Sequence, residues 1–373
     1  MQAIIDLSKY YQRIRSLSLM KGFVSSSIHK RVVKVSIEDD NLFFFTRSEV
    51  ISIEVQVPAK TSGNCSFPIN LDDLLPVLAV RKDSSKVRFD LDNEKLIIRS
   101  DRSRNSINVV DVNISERLNN EYFAMIETEK LSTLLNGVVE ITMGGSSMLY
   151  SGVSMVLSSN ILRFEAMNGI SCFSASAAIE VIGELQEFNI VVSKFLISAV
   201  LSIIKTSGII GKVAIGKSRS STAITFDGIE VICSNLAYDN YPDLASHMFK
   251  GENESRIYVK SKSLSHALDV VLLNATDDST SATFNISAGE IRVTSLNEES
   301  EETIQCSNPD MLNVFARFNG ARLLDLIKLI NEENLIMSFK VVKNNVGSGQ
   351  SATIWGELSE ERKTLIVGLR TDG

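Results

Sequence analysis

Residues 211–218 (GKVAIGKS) match the spacing of a phosphate-binding P-loop. In such a loop a strand ends at the first glycine, a helix starts at the Gly-Lys-Ser, and backbone N–H groups point at the phosphates. Here a helical pattern precedes Gly211, and strand-like patterns cover residues 213–215 and 220–226. The required context is inverted, so a P-loop NTPase that uses Lys217 and Ser218 is the less favoured hypothesis.

Other catalytic signatures are weaker still. The sequence has no G-x-S-x-G elbow, no H-E-x-x-H motif and no paired carboxylates in a setting that would shift their pKa values. His247 lies near Asp243 and Ser246 in one linker, and His266 stands beside Ser265 on a helical pattern. Chance proximity explains the first group, and an exposed or hydrogen-bonded histidine explains the second. We expect no enzymatic activity, no catalytic residue, no cofactor and no metal site.

Length and composition indicate a soluble globular protein. At 373 residues, with 44% hydrophobic and 22% charged residues, the chain has room for two or three domains. Its net charge of −7 excludes a globally basic nucleic-acid binder, so any contact with nucleic acid must come from local charge placement.

Segments that would direct the chain to a membrane or an oxidising compartment are not predicted. The N-terminus lacks a signal-peptide pattern, and serines 198 and 202 interrupt the longest apolar run, residues 195–204. The four cysteines, at positions 65, 172, 233 and 306, occur singly, which favours reduced thiols. We therefore expect a cytoplasmic protein.

One order of helices and strands recurs three times along the chain. The first copy has helical patterns at 7–20 and within 70–82, with Asn70 as N-cap, and strand patterns at 33–37, 42–45, 50–57, 86–91, 95–99 and 104–112. The second has helices at 128–141 and 193–205, with strands at 153–157, 161–165 and in a run 212–235. The third has helices at 263–273 and 321–330, a hairpin at 282–294, and strands at 335–343, 352–358 and 364–369.

The spacing of the copies predicts a triplicated domain. The first hairpin of each copy turns at Asn41, Asn160 or Glu290, positions about 120 to 130 residues apart, which suits a domain better than a solenoid repeat. We predict an α+β fold of three modules, residues 1–119, 120–250 and 251–373. Residues 234–243 form the seam between the second and third, and the acidic run 298–302 reads as a solvated hairpin end.

Basic residues lie on or at the ends of the six predicted helices, mixed with acidic ones. Ordinary solvated helix faces would explain them, but three repeated modules facing one axis would sum them into a surface for phosphates. The candidates are Lys9, Arg13, Arg81, Lys82, Lys130, Lys194, Lys205, Lys260, Lys262 and Lys328.

Five short motifs, in order over the whole chain, resemble bacterial DNA polymerase III beta subunits, the sliding clamps. Residues 99–107 (RSDRSRNSI) resemble the family's R-S-G-R-S-R-F-S-L, and residues 162–169 (LRFEAMNG) resemble L-R-x-x-A-T-D-G. Residues 234–236 with 241–243 (SNL and YPD) resemble S-R-L-x-D-G-x-[YF]-P-D-Y, and residues 318–325 (FNGARLLD) resemble F-N-x-x-Y-L-L-D. Residues 366–370 (IVGLR) take the place of V-M-P-M-R.

The resemblance implies a divergent clamp, phage- or plasmid-encoded, in which two chains form a head-to-tail ring of six similar domains. Helices would line the hole, and duplex DNA would thread it without sequence readout. Such a ring tethers a DNA polymerase as a processivity factor and is handled by a clamp loader. An alternative keeps the fold but not the ring, as a monomeric adaptor for replication or repair proteins.

The family's binding sites carry over position by position. Partner peptides would bind a groove formed by Tyr150, Met167, Gly169, Ile170, Ser171, Cys172, Pro242, Ser246, His247, Asn319, Arg322, Val367, Gly368, Leu369 and Arg370. The ring interface would involve Arg104, Asn105, Ile107, Leu272 and Leu273. The groove departs from the family at residues 169–172 (GISC for G-H-R-L), at Arg322 and at 367–370, which implies a different peptide. Asn105 replaces an apolar residue at the ring interface.

Overall fold

The computed structural model describes residues 1–22, 31–92, 94–101, 103–112, 114, 120–143, 152–168, 171–183, 187–218, 220–237, 241, 255–273, 280–287, 289–341, 350–356 and 359–367. Within these residues the protein is α+β, as predicted. It has six α-helices: α1 (Leu7–Arg15), α2 (Leu71–Ala79), α3 (Thr128–Met143), α4 (Lys194–Ser207), α5 (Ser261–Leu272) and α6 (Gly320–Ile330).

The strands repeat one order three times: a strand, a helix, three strands, a strand, a helix and three strands. The first set is β1 (Gln2–Ile5), β2 (Val32–Glu38), β3 (Asn41–Arg47), β4 (Ile51–Pro58), a short β5 (Lys60–Ser62), β6 (Cys65–Asn70), β7 (Val87–Asp92), β8 (Lys95–Ser100) and β9 (Ser103–Asn108).

The second and third sets follow the same order. The second is β10 (Glu121–Glu127), β11 (Gly152–Ser158), β12 (Ile161–Met167), β13 (Ser171–Ala178), a short β14 (Glu180–Val181), β15 (Phe188–Ser193), β16 (Lys212–Lys217), β17 (Ser221–Phe226) and β18 (Ile229–Ser234). The third is β19 (Ser255–Lys260), β20 (Ser281–Ser287), β21 (Glu290–Ser295), β22 (Glu301–Ser307), β23 (Val314–Asn319), β24 (Asn334–Val341), β25 (Gln350–Gly356) and β26 (Ser359–Val367).

The chain divides into two compact units. The first, residues 1–132 and 178–237, holds one sheet of order β5-β1-β7-β8-β9 and a second of order β14-β10-β16-β17-β18-β4-β3-β2-β6. The second unit, residues 133–177 and 238–373, holds a sheet of order β11-β12-β13-β26-β25-β24-β19-β22-β21-β20-β23. These units do not follow the predicted module limits, because strands from successive copies pair with each other. The limits stay a prediction.

Two such junctions join the copies. In the first unit β18 pairs antiparallel with β4, from Ile229 opposite Val55 to Cys233 opposite Ile51. In the second unit β26 pairs antiparallel with β13, from Ile366 opposite Ser171 to Arg362 opposite Ala175. In both cases the last strand of one copy adds to the fourth strand of its neighbour (β4 or β13), so each junction is a continuous backbone ladder.

Helix starts follow the sequence chemistry closely. The side chain of Asn70 accepts a hydrogen bond from the Asp72 N–H at 2.9 Å, which confirms the predicted N-cap of α2. Ser193 caps α4 in the same way, and α2 accommodates Pro76 in its interior. The predicted helix 7–20 is α1 continued by a 3-10 helix, Ser16–Gly22.

Strands β13 and β22 and the short β5 and β14 were not predicted, and two further kinds of strand were mispredicted. The strand before each helix (β1, β6, β10, β15, β19, β23) was missed, because its alternating pattern merges with the helical pattern that follows. The run 212–235 is not one strand but three. Asp227 and Gly228 there have φ values of 47° and 76°, and this left-handed pair closes the hairpin β17–β18.

Candidate interaction surfaces

The P-loop-like segment folds as a sheet strand. Residues 212–217 are β16, which pairs with β10 on one side and β17 on the other, so their backbone hydrogen bonds belong to the ladder. The Lys217 ammonium lies 5.9 Å and 5.1 Å from the ring centroids of Phe123 and Phe188. The next described element after β16 is the strand β17, where a P-loop would have a helix. The geometry contradicts a phosphate cradle, so the NTPase hypothesis is wrong.

The remaining polar candidates form no reaction centre in the part of the chain that the structure describes. His266 is exposed on α5, and His247 lies outside the described residues. No three His, Cys, Asp or Glu side chains within the described ranges are arranged to hold a metal ion. None of the described helices is both long enough and apolar enough to span a membrane.

Most of the predicted basic helix residues are solvent-exposed. Lys194, the first residue of α4, is half-buried, and the Lys9 ammonium lies 3.3 Å from an Asp6 carboxylate oxygen. The exposed ones are Lys9, Lys82, Lys130, Lys205, Lys260, Lys262 and Lys328. Exposed ammonium groups are available to phosphates, and their number is what matters for a non-specific electrostatic contact.

Arg13, in the first copy of the repeat, forms an ion pair with Asp227 in the second copy of the same chain. Its Nε donates to the Asp227 carboxylate at 3.0 Å, its Nη2 forms a second bond to the same carboxylate, and its guanidinium lies 5.0 Å from the Tyr10 ring centroid. This two-pronged contact links α1 to the turn β17–β18 within the first unit. The positive charge of Arg13 is therefore largely compensated by Asp227 within the chain.

The burial of Arg81 departs further from the prediction that it faces DNA. It is 5% exposed, its Nη1 donates to the Val77 carbonyl at 2.7 Å, and its Nη2 donates to Asn105 Oδ1. A guanidinium enclosed in this way faces the protein and not a phosphate. The sequence pattern placed it at a helix end but could not show that the chain folds back over it.

The described groove residues meet at one junction. Met167 is 7% exposed at the end of β12, and Ser171 and Cys172 begin β13, opposite residues 366 and 365 of β26. The Ser171 N–H donates to Asn168 Oδ1 at 2.8 Å. The resemblance had placed Met167, Ser171 and Cys172 in the groove, and the fold puts Ser171 and Cys172 where second- and third-copy strands join.

The third copy adds the start of α6. Asn319 caps this helix by accepting from the Arg322 N–H at 2.9 Å, and its Nδ2 donates to Thr280 Oγ1 at 3.1 Å. Arg322 is half-buried in the first turn, and Val367 ends β26 opposite Ser351. The other groove candidates lie outside the described residues: Tyr150, Gly169, Ile170, Pro242, Ser246, His247, Gly368, Leu369 and Arg370.

Cys172 should be unreactive in the native protein. Burial, with a contribution from Glu165, raises the pKa of its thiol to about 12, so the reactive thiolate is scarce. At about pH 8 we expect iodoacetamide to modify Cys172 and the buried Cys233 at least about tenfold more slowly than Cys65 and Cys306, measured by peptide mass spectrometry. Equal rates for all four thiols in the folded state would contradict this.

The same shift predicts a pH dependence of stability. The folded pKa of Cys172 lies above its ordinary value of 9.0, so its contribution is intact below pH 9 and is lost as the pH rises towards about 12. The free energy of unfolding should fall in that window by up to about 1.4 kcal/mol per pH unit for this thiol. Urea titrations of the protein and of Cys172→Ala measure the difference, which should shrink with rising pH.

The predicted interface residues lie on two exposed surfaces. Arg104 and Asn105 are exposed on β9, while Ile107 on the same strand is 4% exposed. At the end of α5, Leu272 is half-buried and Leu273 is 76% exposed. An apolar side chain exposed to this extent at a helix end is suited to a contact with another molecule.

A further feature was missed in the sequence. Strand β9 is the last strand of its sheet, with β8 as its partner, and residues 301–305 of β22 pair on one side with β21. Both are edges in the described structure, one rimmed by arginines and the other by the acidic run 298–302. The acidic run was recognised in the sequence but was interpreted as a solvated hairpin end. The pairing register of a strand cannot be read from the residue pattern of that segment alone.

No family model matches the sequence, and no curated protein sequence matches it. Solved structures match it closely in fold. The DNA polymerase III subunit beta of Pseudomonas aeruginosa superposes with a TM-score of 0.81 at 15% identity, over 100% of both chains. The DNA polymerase sliding clamp of Caulobacter crescentus gives 0.81 at 15% identity over 100% of both, and the beta subunit of Thermotoga maritima gives 0.78 at 15% over 99% of both. The chain has the fold of these proteins along its whole length.

Proposed function

We propose that this protein is a DNA sliding clamp: a non-enzymatic ring of two copies that encircles duplex DNA and tethers a DNA polymerase as a processivity factor. The observation that carries the proposal is the full-length likeness to DNA polymerase III beta subunits and sliding clamps. The threefold repeat of one strand and helix order supports it independently, because a ring of similar domains needs similar parts.

The junctions between copies support ring closure. The last strand of the second copy, β18, pairs with β4, and the last strand of the third, β26, pairs with β13. Their counterparts are the last strand of the first copy, β9, and the fourth strand of the third copy, β22; β9 and residues 301–305 of β22 are left as edges in the described structure. A second copy placed head to tail would fill both edges at once, which closes a heterologous contact into a ring.

DNA would be held by its phosphates and by enclosure. The exposed lysines on or next to the described helices supply positive charge without base-reading geometry, so binding would be independent of sequence. A net charge of −7 is compatible with this, because a closed ring stays on DNA without a tight contact. The protein would act in the cytoplasm, where bacterial DNA is replicated.

Polymerase and clamp loader would bind by short peptides at the junction of β13 and β26, near the start of α6. A related Pseudomonas aeruginosa clamp has been solved with griselimycin bound, which supports a ligand site on this fold. In this chain Arg322 and the half-buried start of α6 add a positive feature there. We propose that its partner peptide differs from that of other clamps.

The test is topological. Purified protein, loaded by its own loader on nicked circular DNA, should be retained through gel filtration and released when the circle is linearised. Sedimentation should show a dimer. A strict monomer, lost equally from circular and linear DNA, would contradict the clamp and favour a monomeric adaptor for replication or repair proteins.

A further inference from the structure

The solvent-facing side of β23 carries an aromatic and a basic residue next to the start of α6. Phe315, Arg317 and Asn319 alternate along this strand, so their side chains project to one face of the sheet. The residues between them face the core, and Phe318 is fully buried. Phe315 is 53% exposed, and Arg317 is half-buried. An aromatic ring exposed to this extent on a strand is suited to a contact with another molecule.

Asn319 joins this face of β23 to α6. Its Oδ1 accepts a hydrogen bond from the Arg322 N–H at 2.9 Å, and its Nδ2 donates to Thr280 Oγ1 at 3.1 Å. A Cβ atom added at Gly320 would lie 3.1 to 3.3 Å from atoms of three neighbouring residues, so the first turn of α6 is packed closely against its surroundings. Long helical side chains lean towards the N-terminus of their helix, so we expect Arg322 to extend the face of β23. We call Phe315, Arg317 and Arg322 the arginine strip.

Both arginines of the strip are unpaired. No acidic side chain in the described part of the chain forms an ion pair with Arg317 or Arg322. The Nε of Arg317 is buried and has no hydrogen-bond partner, whereas Arg292 in the same copy pairs with Glu301. A buried donor without an acceptor is costly, because it has lost its bonds to water. The strip is therefore suited to an acceptor that another molecule supplies.

The charge at the start of α6 is also uncompensated. The first turn of this helix contains Arg322 and no acidic residue. The N-terminal end of a helix favours negative charge, so an arginine there is opposed by the helix dipole. A carboxylate bound beside Arg322 would offset both the guanidinium and the helix end, and the planar guanidinium can hold it through two parallel hydrogen bonds.

A further unpaired polar group lies in the same candidate groove. Ser171 is 1% exposed at the start of β13, opposite Ile366 of β26, and its Oγ has no hydrogen-bond partner. The family motif G-H-R-L has an arginine at the position of Ser171, and F-N-x-x-Y has a tyrosine at the position of Arg322. This chain therefore has its arginine on α6 instead of β13. A ligand that pairs with it must carry its negative charge at a correspondingly different place.

A short acidic peptide fits the strip better than a nucleic acid does. Nucleic acids are held by several cations that neutralise successive phosphates. Here Asp325 lies on α6 with Arg322, and Glu332 and Glu333 follow the end of that helix. These acidic residues would repel an extended polyanion. A peptide with one or two carboxylates would be repelled less, and an apolar side chain beside them could cover the exposed ring of Phe315.

We infer that the partner peptide of this protein is acidic: a carboxylate of the peptide pairs with Arg322 and Arg317, and a neighbouring apolar side chain covers Phe315. This rests on the proposed peptide site of the clamp and names the chemistry of its ligand. Arg317 and Arg322 then determine specificity, because a neutral peptide would leave both guanidinium groups unpaired.

Peptide selection tests the ligand class. A phage-displayed library of short random peptides, selected on the full chain, should yield sequences with Asp or Glu at one fixed position beside an apolar or aromatic residue. A selected peptide is then labelled with fluorescein and compared with its amide analogue, in which Asn or Gln replaces that acid. Fluorescence anisotropy should show about 10-fold weaker binding of the analogue to the unmodified protein.

Variants of the two arginines locate the contact. Arg322→Gln and Arg317→Gln should each weaken binding of the acidic peptide by about 3- to 10-fold and change binding of the amide analogue by less than about twofold. A merely structural role would weaken both peptides equally. Lys328→Gln is the matched control, since it removes the same charge from the far end of α6, and both peptides should bind it within about twofold of the unmodified protein. Arg322→Lys keeps the charge without the fork and should be intermediate.

The outcomes separate the acidic ligand from the clamp. Selected peptides without a fixed carboxylate, no selected peptide at all, or equal binding of the acidic peptide and its analogue would overturn the inference and leave the clamp standing. Arginine variants that lose affinity for duplex DNA but not for the acidic peptide would also overturn it. A protein that is not retained on circular DNA but selects acidic peptides through Arg322 would overturn the ring alone. Should a variant fail to fold by circular dichroism, the comparison of the two peptides on the unmodified protein still decides.

Discussion

A variant with glutamine at Lys130, Lys205, Lys262 and Lys328 should lose affinity for duplex DNA by on the order of 10²-fold near physiological salt. These four lysines are exposed on α3, α4, α5 and α6. Each lysine that no longer neutralises a phosphate lowers the slope of log affinity against log salt by roughly 0.9. Any single replacement should therefore have a small effect, while the four together should lower both the affinity and the slope. Fluorescence anisotropy on a short duplex at several salt concentrations measures both.

A control set of equal charge lies on the strands and their connections. Glutamine at Lys34, Lys60, Lys86 and Lys95 changes net charge by the same amount without touching a helix. DNA binding by the control variant should stay within about twofold of the unmodified protein, apart from the general charge effect. If both sets weaken binding equally, only net charge matters and the helices do not form the DNA surface.

Replacing Phe173 or Gly137 should give the largest changes in the free energy of unfolding. In the double variant, the effect of Gly137→Ala should change from destabilising to stabilising. A Cβ atom added at Gly137 in α3 would lie 2.3 to 2.9 Å from three ring atoms of Phe173, which is fully buried in β13. Gly137→Ala should therefore cost roughly 1–3 kcal/mol through overpacking, although alanine favours the helix. Phe173→Ala should cost about 3–5 kcal/mol through the reduced burial and the cavity.

The double variant distinguishes steric overlap from helix propensity. Without the ring, the alanine at position 137 meets no clash, so Gly137→Ala should stabilise the Phe173→Ala protein by up to about 1 kcal/mol. Urea unfolding of the four proteins at one temperature completes the cycle. A Gly137→Ala change that destabilises both backgrounds equally would show that the glycine is required for another reason than the ring.

The local elements were accessible from the sequence because their determinants are local. Apolar spacing placed all six helices, and Asn70 identified the start of α2 by the chemistry of its side chain. The strands that precede the helices were not found, since four to seven residues of alternation are hard to separate from the helical pattern that follows. The run 212–235 was split by Asp227 and Gly228, whose left-handed backbone the sequence only hinted at.

The candidate site residues likewise divide into those whose surroundings the local sequence predicts and those whose surroundings depend on distant segments. Exposure of Lys130, Lys205 and Lys328 follows from their helix faces, which a period of 3.6 residues largely decides. The enclosure of Arg81 by Asn105 and the ion pair between Arg13 and Asp227 join residues 24 and 214 positions apart. Interactions over such separations depend on how sheets pair, and no local pattern encodes them.

By itself, the sequence determined that one α+β unit is used three times, that the P-loop-like segment lacks the context of a phosphate site, and that charge must act locally in a chain of net charge −7. These are properties of pattern and composition. Only the tertiary structure decided which strands are paired and which remain edges, because register follows from the meeting of distant segments. The same pairing showed that the acidic run 298–302, which looked merely solvated, lies at the rim of an open strand whose charge complements Arg104 of β9.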